Sequence, residues 1–120
     1  MNRKRILIVD DDPYLCEELS DTQFGEGFSV DFTTDSSKGA ALILKCDYEI
    51  LLLDHKMPGL SGLELIRKVR EQSVDIPIFL ISGMPQIGDE LIARGLSGDV
   101  RGVIRKPFDV DDLITKIKSV

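Results

Sequence analysis

Four short runs in this chain each stop at a residue that can do chemistry. Ile6-Leu7-Ile8-Val9 stops at Asp10 and Asp11, and Ile50-Leu51-Leu52-Leu53 stops at Asp54. Ile78-Phe79-Leu80-Ile81 stops at Ser82, and Gly102-Val103-Ile104-Arg105 stops at Lys106. The first three are unbroken apolar runs, as expected for strands covered on both faces of a parallel sheet. If all four are parallel strands of one sheet, their carboxyl ends share one edge, which is where open α/β sheets bind ligands. Three carboxylates, a hydroxyl and an ammonium gathered there suit a Mg²⁺ ion and a phosphoryl group.

The rest of the chain alternates strand and helix to match. Strands are expected at 5–9, 29–33, 49–53, 77–81 and 102–105. The second, Ser29-Val30-Asp31-Phe32-Thr33, alternates polar and apolar and suits a half-exposed edge strand. Asp12-Pro13 opens a first helix with a cap and a proline at its first position, and Leu15, Cys16 and Leu19 form its inward stripe. Gly25 and Gly27 end it. Ser36 or Ser37 opens a second helix that buries Ala40, Ala41 and Leu44. Ser61 and Glu64 read as a capping box for a third, with Leu63, Ile66 and Val69 inward. The stretch from Gly83 to Gly98 holds four glycines and a proline, so its helix, carried by Leu91, Ile92 and Leu96, should be short or irregular. A fifth helix starts at Asp109, with Val110, Leu113, Ile114 and Ile117 on one face.

Composition narrows the class. A chain of 120 residues, 42% of them hydrophobic, forms one domain, residues 1–120, and buries a core without disulfides or a structural metal. Its net charge of -6 argues against a nucleic-acid surface, which needs a basic face. Cys16 and Cys46 lack metal-ligand spacing and read as reduced thiols of a cytoplasmic protein. The basic start is followed by only four apolar residues before Asp10. A secretory signal needs roughly 7–15 and a membrane span about 20.

Bringing Asp54 beside Asp10 and Asp11 is electrostatically costly. Like charges about 4 Å apart repel by about 4 kcal/mol at an effective dielectric near 20. A proton, Lys106 or a divalent cation must offset that. Helix capping accounts for Asp12, and for the Asp109–Asp112 cluster, but capping by Asp10 and Asp11 would leave Asp54 unexplained. After Asp54 come His55-Lys56-Met57-Pro58-Gly59, whose proline and glycine turn the chain sharply, which should leave the carboxylate exposed at the sheet edge. A carboxylate there can act as a nucleophile toward phosphorus. Lys106-Pro107 is a candidate cis peptide. His55, the single histidine, receives no chemical part in this reading.

Val9-Asp10-Asp11, Asp54 with Met57-Pro58-Gly59, Ser82-Gly83 and Lys106-Pro107-Phe108 together resemble the receiver domain of two-component response regulators, over essentially the whole chain. The resemblance implies a doubly wound, flavodoxin-like α/β fold with five parallel strands in order 2-1-3-4-5 and five helices. It implies that Asp54 accepts a phosphoryl group from a phosphohistidine on a sensor histidine kinase or phosphotransfer protein. Asp11 and Asp54 would ligate Mg²⁺, Asp10 would act largely through water, and the backbone carbonyl of Lys56 would complete the site. Ser82 and Lys106 would bind the phosphoryl oxygens. The surface around the fourth helix, fifth strand and fifth helix would then shift toward an output partner or domain, or toward a dimer formed on phosphorylation. Such a domain is no ordinary enzyme; it phosphorylates and dephosphorylates only itself, and it needs neither membrane nor nucleic acid. A stand-alone receiver, a fragment of a regulator with an effector domain and the receiver of a hybrid kinase all remain open.

Two departures accompany the resemblance. Many receivers carry Tyr or Phe three residues before the lysine, where this chain has Val103. The glycine-rich stretch between Ser82 and Lys106 is slightly long. In receivers the hydrolytic water passes the residues two beyond the aspartate and two beyond the Ser/Thr, here Lys56 and Met84, and neither orients water well. Slow autodephosphorylation is therefore expected. Rival readings fit less well. A phosphohydrolase of the haloacid dehalogenase type could use Asp10, Asp12, Ser82 and Lys106, but Pro13 is out of pattern and Asp54 would have no role. A pseudo-receiver that has lost phosphorylation conflicts with an intact set of site residues.

Overall fold

A computed structural model describes residues 4–14, 17, 27–45, 47–57, 59–72 and 75–119. Its strands are β1 (Lys4–Val9), β2 (Phe28–Thr33), β3 (Ile50–Asp54), β4 (Ile78–Ser82) and β5 (Gly102–Arg105). All four neighbouring pairs are parallel, in the order β2-β1-β3-β4-β5. The helices among the described elements are α1 (Ser36–Lys45), α2 (Gly62–Glu71), α3 (Ile87–Ala93) and α4 (Val110–Lys118), matching the second to fifth expected from sequence. Of the first expected helix, Pro13, Tyr14 and Glu17 are helical; Leu15, Cys16, Leu19 and Gly25 lie outside the described residues, as does Cys46.

Alternation along the inner strands makes two cores. Leu7, Val9, Leu51, Leu53, Ile78 and Leu80 pack on one face with Ile43 of α1, Leu63, Ile66 and Val69 of α2 and Leu91 of α3. Ile6, Ile8, Ile50, Leu52, Phe79 and Ile81 pack on the other with Leu113 and Ile117 of α4. This two-sided cover is why β1, β3 and β4 read as continuous apolar runs. The edge strand β2 buries Phe28 and leaves Phe32 42% exposed.

Two helix faces differ from the sequence expectation. The buried positions of α1 are Ser36, Gly39 and Ile43, while Ala41 is exposed and Leu44 is 55% exposed. Gly39 lets the helix close on β1: a Cβ there would meet Val9 Cγ2 at 2.8 Å. The cap of α1 is Asp35, whose Oδ1 accepts from the Ser37 and Lys38 amides at 2.8 and 3.3 Å. Ser36, freed from capping, turns inward. In α3 the buried residues are Ile87 and Leu91, followed by Leu96, whereas Ile92 is 68% exposed. That helix is short, as the glycines suggested, and a 3₁₀ turn at Ser97–Asp99 follows it.

Candidate functional site: a carboxylate edge closed by a lysine

The sheet's hydrogen-bond ladder runs one step past the strand ends and fixes the residues that follow. The Asp10 amide donates to Thr33 O at 3.2 Å, the His55 amide to Ile81 O at 2.8 Å and the Lys106 amide to Ser82 O at 2.9 Å. Register does the rest. Val9 lies opposite Leu53, Asp54 opposite Ile81 and Ser82 opposite Arg105, so the chemistry-bearing residues emerge within one or two steps of each other.

Asp10 is fully buried, and its Oδ1 accepts from the Asp12 amide at 3.0 Å. Asp12 Oδ1 in turn accepts from the Tyr14 amide at 3.0 Å, which is the capping role expected of it. These two tight turns leave Asp11 on the exposed rim. Lys106 reaches across from β5, with Nζ 3.3 Å from Asp10 Oδ2 and 3.4 Å from Asp54 Oδ1. The Lys106-Pro107 bond is cis.

The loop after β3 is held by small residues. A methyl group at Gly62 would run into the backbone carbonyl of Asp54, so α2 abuts the strand end only because that position is glycine. The Gly62 amide donates to His55 O at 3.1 Å, and the Leu60 amide donates to the buried Ser36 hydroxyl at 3.0 Å. Gly59 takes φ +83°, the left-handed turn that the Pro-Gly pair foreshadowed. Ser61 Oγ accepts from the Glu64 amide at 3.2 Å and caps α2.

The electrostatics follow from this crowding. Asp54 is only 5% exposed, buried rather than exposed as the turn after it suggested, because Lys106 and the Asp10 corner close over it. That burial first, and the Asp10 charge second, raise its carboxyl from 3.8 to about 7, against the pull of Lys106. Burial alone would lower Lys106, but the carboxylates of Asp10 and Asp54 outweigh it and raise its pKa above the ordinary lysine value. Asp10, Asp11 and Asp54 each offer an oxygen within 4.8 Å of the others. Hard carboxylate oxygens, one on an open rim that water can reach, form a donor set that fits Mg²⁺. The three carboxylates expected at one corner lie close together there.

Around Asp11 and Asp54 lies an open cleft of about 460 Å³ that also includes Lys56, Ser82, Met84 and Lys106. Lys56 is exposed and Met84 half-buried, both on this cleft. Ser82 is buried, and its Oγ accepts from the Met84 amide at 3.0 Å. Val103 packs half-buried against the core under α2 and α3. His55, given no chemical part from the sequence, is 9% exposed with Nδ1 3.5 Å from Ser82 Oγ. With Asp54 opposite Ile81, the next residue of each chain brings His55 to Ser82.

A doubly wound parallel sheet with an acidic pair, an aspartate, a hydroxyl and a lysine at its carboxyl edge defines a class of phosphoacceptor domains. The chain matches the response regulator receiver domain family over residues 6–118. It is 36% identical over 117 residues to the cell cycle response regulator CtrA of Brucella ovis, covering 97% of this chain and 49% of that protein. It thus spans about half the length of the curated relatives it matches. Response regulator TrrA from Thermotoga maritima, solved in complex with Mg²⁺-BeF, has a TM-score of 0.81 at 29% identity, with 97% of each chain covered. A CheY-like receiver domain protein from Methanospirillum hungatei has a TM-score of 0.86 at 27% identity, over 98% of this chain and 93% of that one. This chain belongs to the response regulator receiver domains of two-component systems.

Proposed function

We propose that residues 1–120 form one receiver domain in which Asp54 is the phosphoacceptor for a phosphohistidine on a sensor histidine kinase or phosphotransfer protein. An Asp54 carboxylate oxygen bonds to phosphorus, the phosphorus–nitrogen bond of the donor breaks, and the departing imidazole keeps the electron pair and takes a proton from water. The observation that carries this reading is the Lys106 ammonium, 3.3 Å from Asp10 and 3.4 Å from Asp54. It favours the ionised, nucleophilic form of Asp54 and is poised to meet a phosphoryl oxygen. Ser82 Oγ donates to a second oxygen. Asp10, Asp11 and Asp54, with the Lys56 carbonyl, would hold Mg²⁺, which supplies charge neutralisation for the transferred group.

The same edge would return the phosphoryl group to water without a separate enzyme. Output would pass through the surface of α3, β5 and α4, by a partner, a further domain or a second copy, in the cytoplasm where sensor kinases present their phosphohistidine. Among the described residues no helix is long and apolar enough to cross a membrane.

Incubation with Mg²⁺ and an acyl phosphate, followed by mass-spectrometric mapping, tests the assignment. Label on Asp54, lost in Asp54→Asn, is expected. Label on Asp10 would replace this reading with the hydrolase one.

A further inference from the structure

Ser82 Oγ has two nitrogen neighbours within hydrogen-bond distance, and its one hydroxyl proton can go to only one acceptor. Its Oγ accepts from the Met84 amide at 3.0 Å and lies 3.5 Å from His55 Nδ1. Both side chains are buried. If Nδ1 carried the imidazole proton, two N–H groups would converge on Oγ and the hydroxyl proton would face neither of them. If Nε2 carries it, all three groups are satisfied: the amide donates to Oγ and Oγ donates to Nδ1.

We infer that His55 is a positioning residue that holds the Ser82 hydroxyl proton until a phosphoryl oxygen takes it. The inference rests on the phosphoacceptor reading above. A hydroxyl donates one hydrogen bond, so bonding to a phosphoryl group on Asp54 means releasing His55. The imidazole competes with the phosphoryl group and lowers the domain's affinity for it. His55 also borders the cleft that holds Asp54, Ser82 and Lys106, so the exchange needs rotation about one bond of Ser82 and no movement of the sheet.

His55 is the chain's only histidine, so its ring nitrogens are the only imidazole signals in a ¹⁵N spectrum. Spectra recorded near about pH 8, where an ordinary imidazole is neutral, should show Nδ1 unprotonated and hydrogen-bonded in the metal-free protein. Ser82→Ala should move Nδ1 toward the position of a free acceptor. Mg²⁺ with beryllium fluoride, a phosphoryl mimic, should move the wild-type signal the same way. An Nδ1 resonance indifferent to Ser82→Ala, or a protonated Nδ1, would overturn the inference.

Beryllium fluoride titration supplies the energetic arm. His55→Phe keeps the ring's bulk without the acceptor and should bind the mimic about two- to tenfold more tightly, the range expected for one neutral hydrogen bond. His55→Asn, which restores an acceptor near Nδ1, should return to the wild-type affinity, and His55→Phe should have no effect in a Ser82→Ala background. Equal tightening in that background would overturn the role assigned to His55. A wild-type protein that binds no mimic would overturn the phosphoacceptor reading as well, whereas binding with an unmoved Nδ1 overturns this inference alone.

Discussion

The interior of the sheet and its carboxyl edge are separated by a single residue, yet they pull on the fold in opposite directions. Leu51, Leu52 and Leu53 are removed from water on both faces of β3, and each such side chain stabilises by roughly 1.5–3 kcal/mol. Asp54, the next residue, is almost as buried but carries a charge beside that of Asp10, and its carboxyl rises to about 7. The same contrast recurs at Val9 against Asp10. The interior makes the domain stable enough to hold an edge that opposes it. In the function proposed above, a cation and a phosphoryl group would meet that opposing charge.

Variants on the two sides of that boundary should therefore behave differently. The largest effect is expected inside: Leu52→Ala should cost about 2–5 kcal/mol in denaturant unfolding. The folded fraction should keep its Mg²⁺ affinity. A comparable loss of Mg²⁺ binding in that fraction would mean the edge is not independent of the packing beneath it. At the edge, Asp11→Asn should weaken Mg²⁺ binding and acyl-phosphate labelling with little cost to the metal-free fold. Its neighbour should do the reverse: Asp12→Ala should cost the cap, about 0.5–2 kcal/mol, and leave Mg²⁺ binding in place. Equal Mg²⁺ affinities in the two variants would show that the acidic pair has been misassigned.

The smallest effect concerns the rim. Lys56 and Met84 both line the cleft, and neither offers an oxygen to orient a water. A Lys56→Asn, Met84→Glu double variant should lose its phosphoryl group several-fold faster than the wild type, followed by decay of labelled protein. An equal or slower rate would remove these two side chains from the account.

How much of this could be read in advance follows the same boundary. The inner strands were legible to within one residue because burial on both faces leaves no polar position in the run. The acidic corner and Lys106 were legible because they follow those runs directly. The face of α1 was not, because Ser36 and Gly39 pack inward there and large residues do not. Periodicity in bulky side chains pointed to Leu44, but the close approach to Val9 requires glycine. The helix opens at Ser36, one of the two serines expected to open it, but Asp35 supplies the cap and Ser36 instead accepts from the Leu60 amide, 24 positions away. The contact of His55 with Ser82 was not legible for a similar reason: the two are 27 residues apart, and only the strand register connects them.

The claim that the edge opposes the fold until its charge is met can be measured directly by metal-free stability against pH. A carboxyl whose pKa is 3.8 when unfolded and about 7 when folded binds more protons in the native state between those values. Native stability should therefore fall as pH rises from about 4 to about 7 through this group, then level off. Asp54→Asn, with no carboxyl to ionise, should lack that decline and be the more stable protein at neutral pH, and Mg²⁺ should restore the wild type. Parallel pH profiles for the two proteins, with Asp54→Asn no more stable at pH 7 to 8 in the absence of metal, would contradict the account.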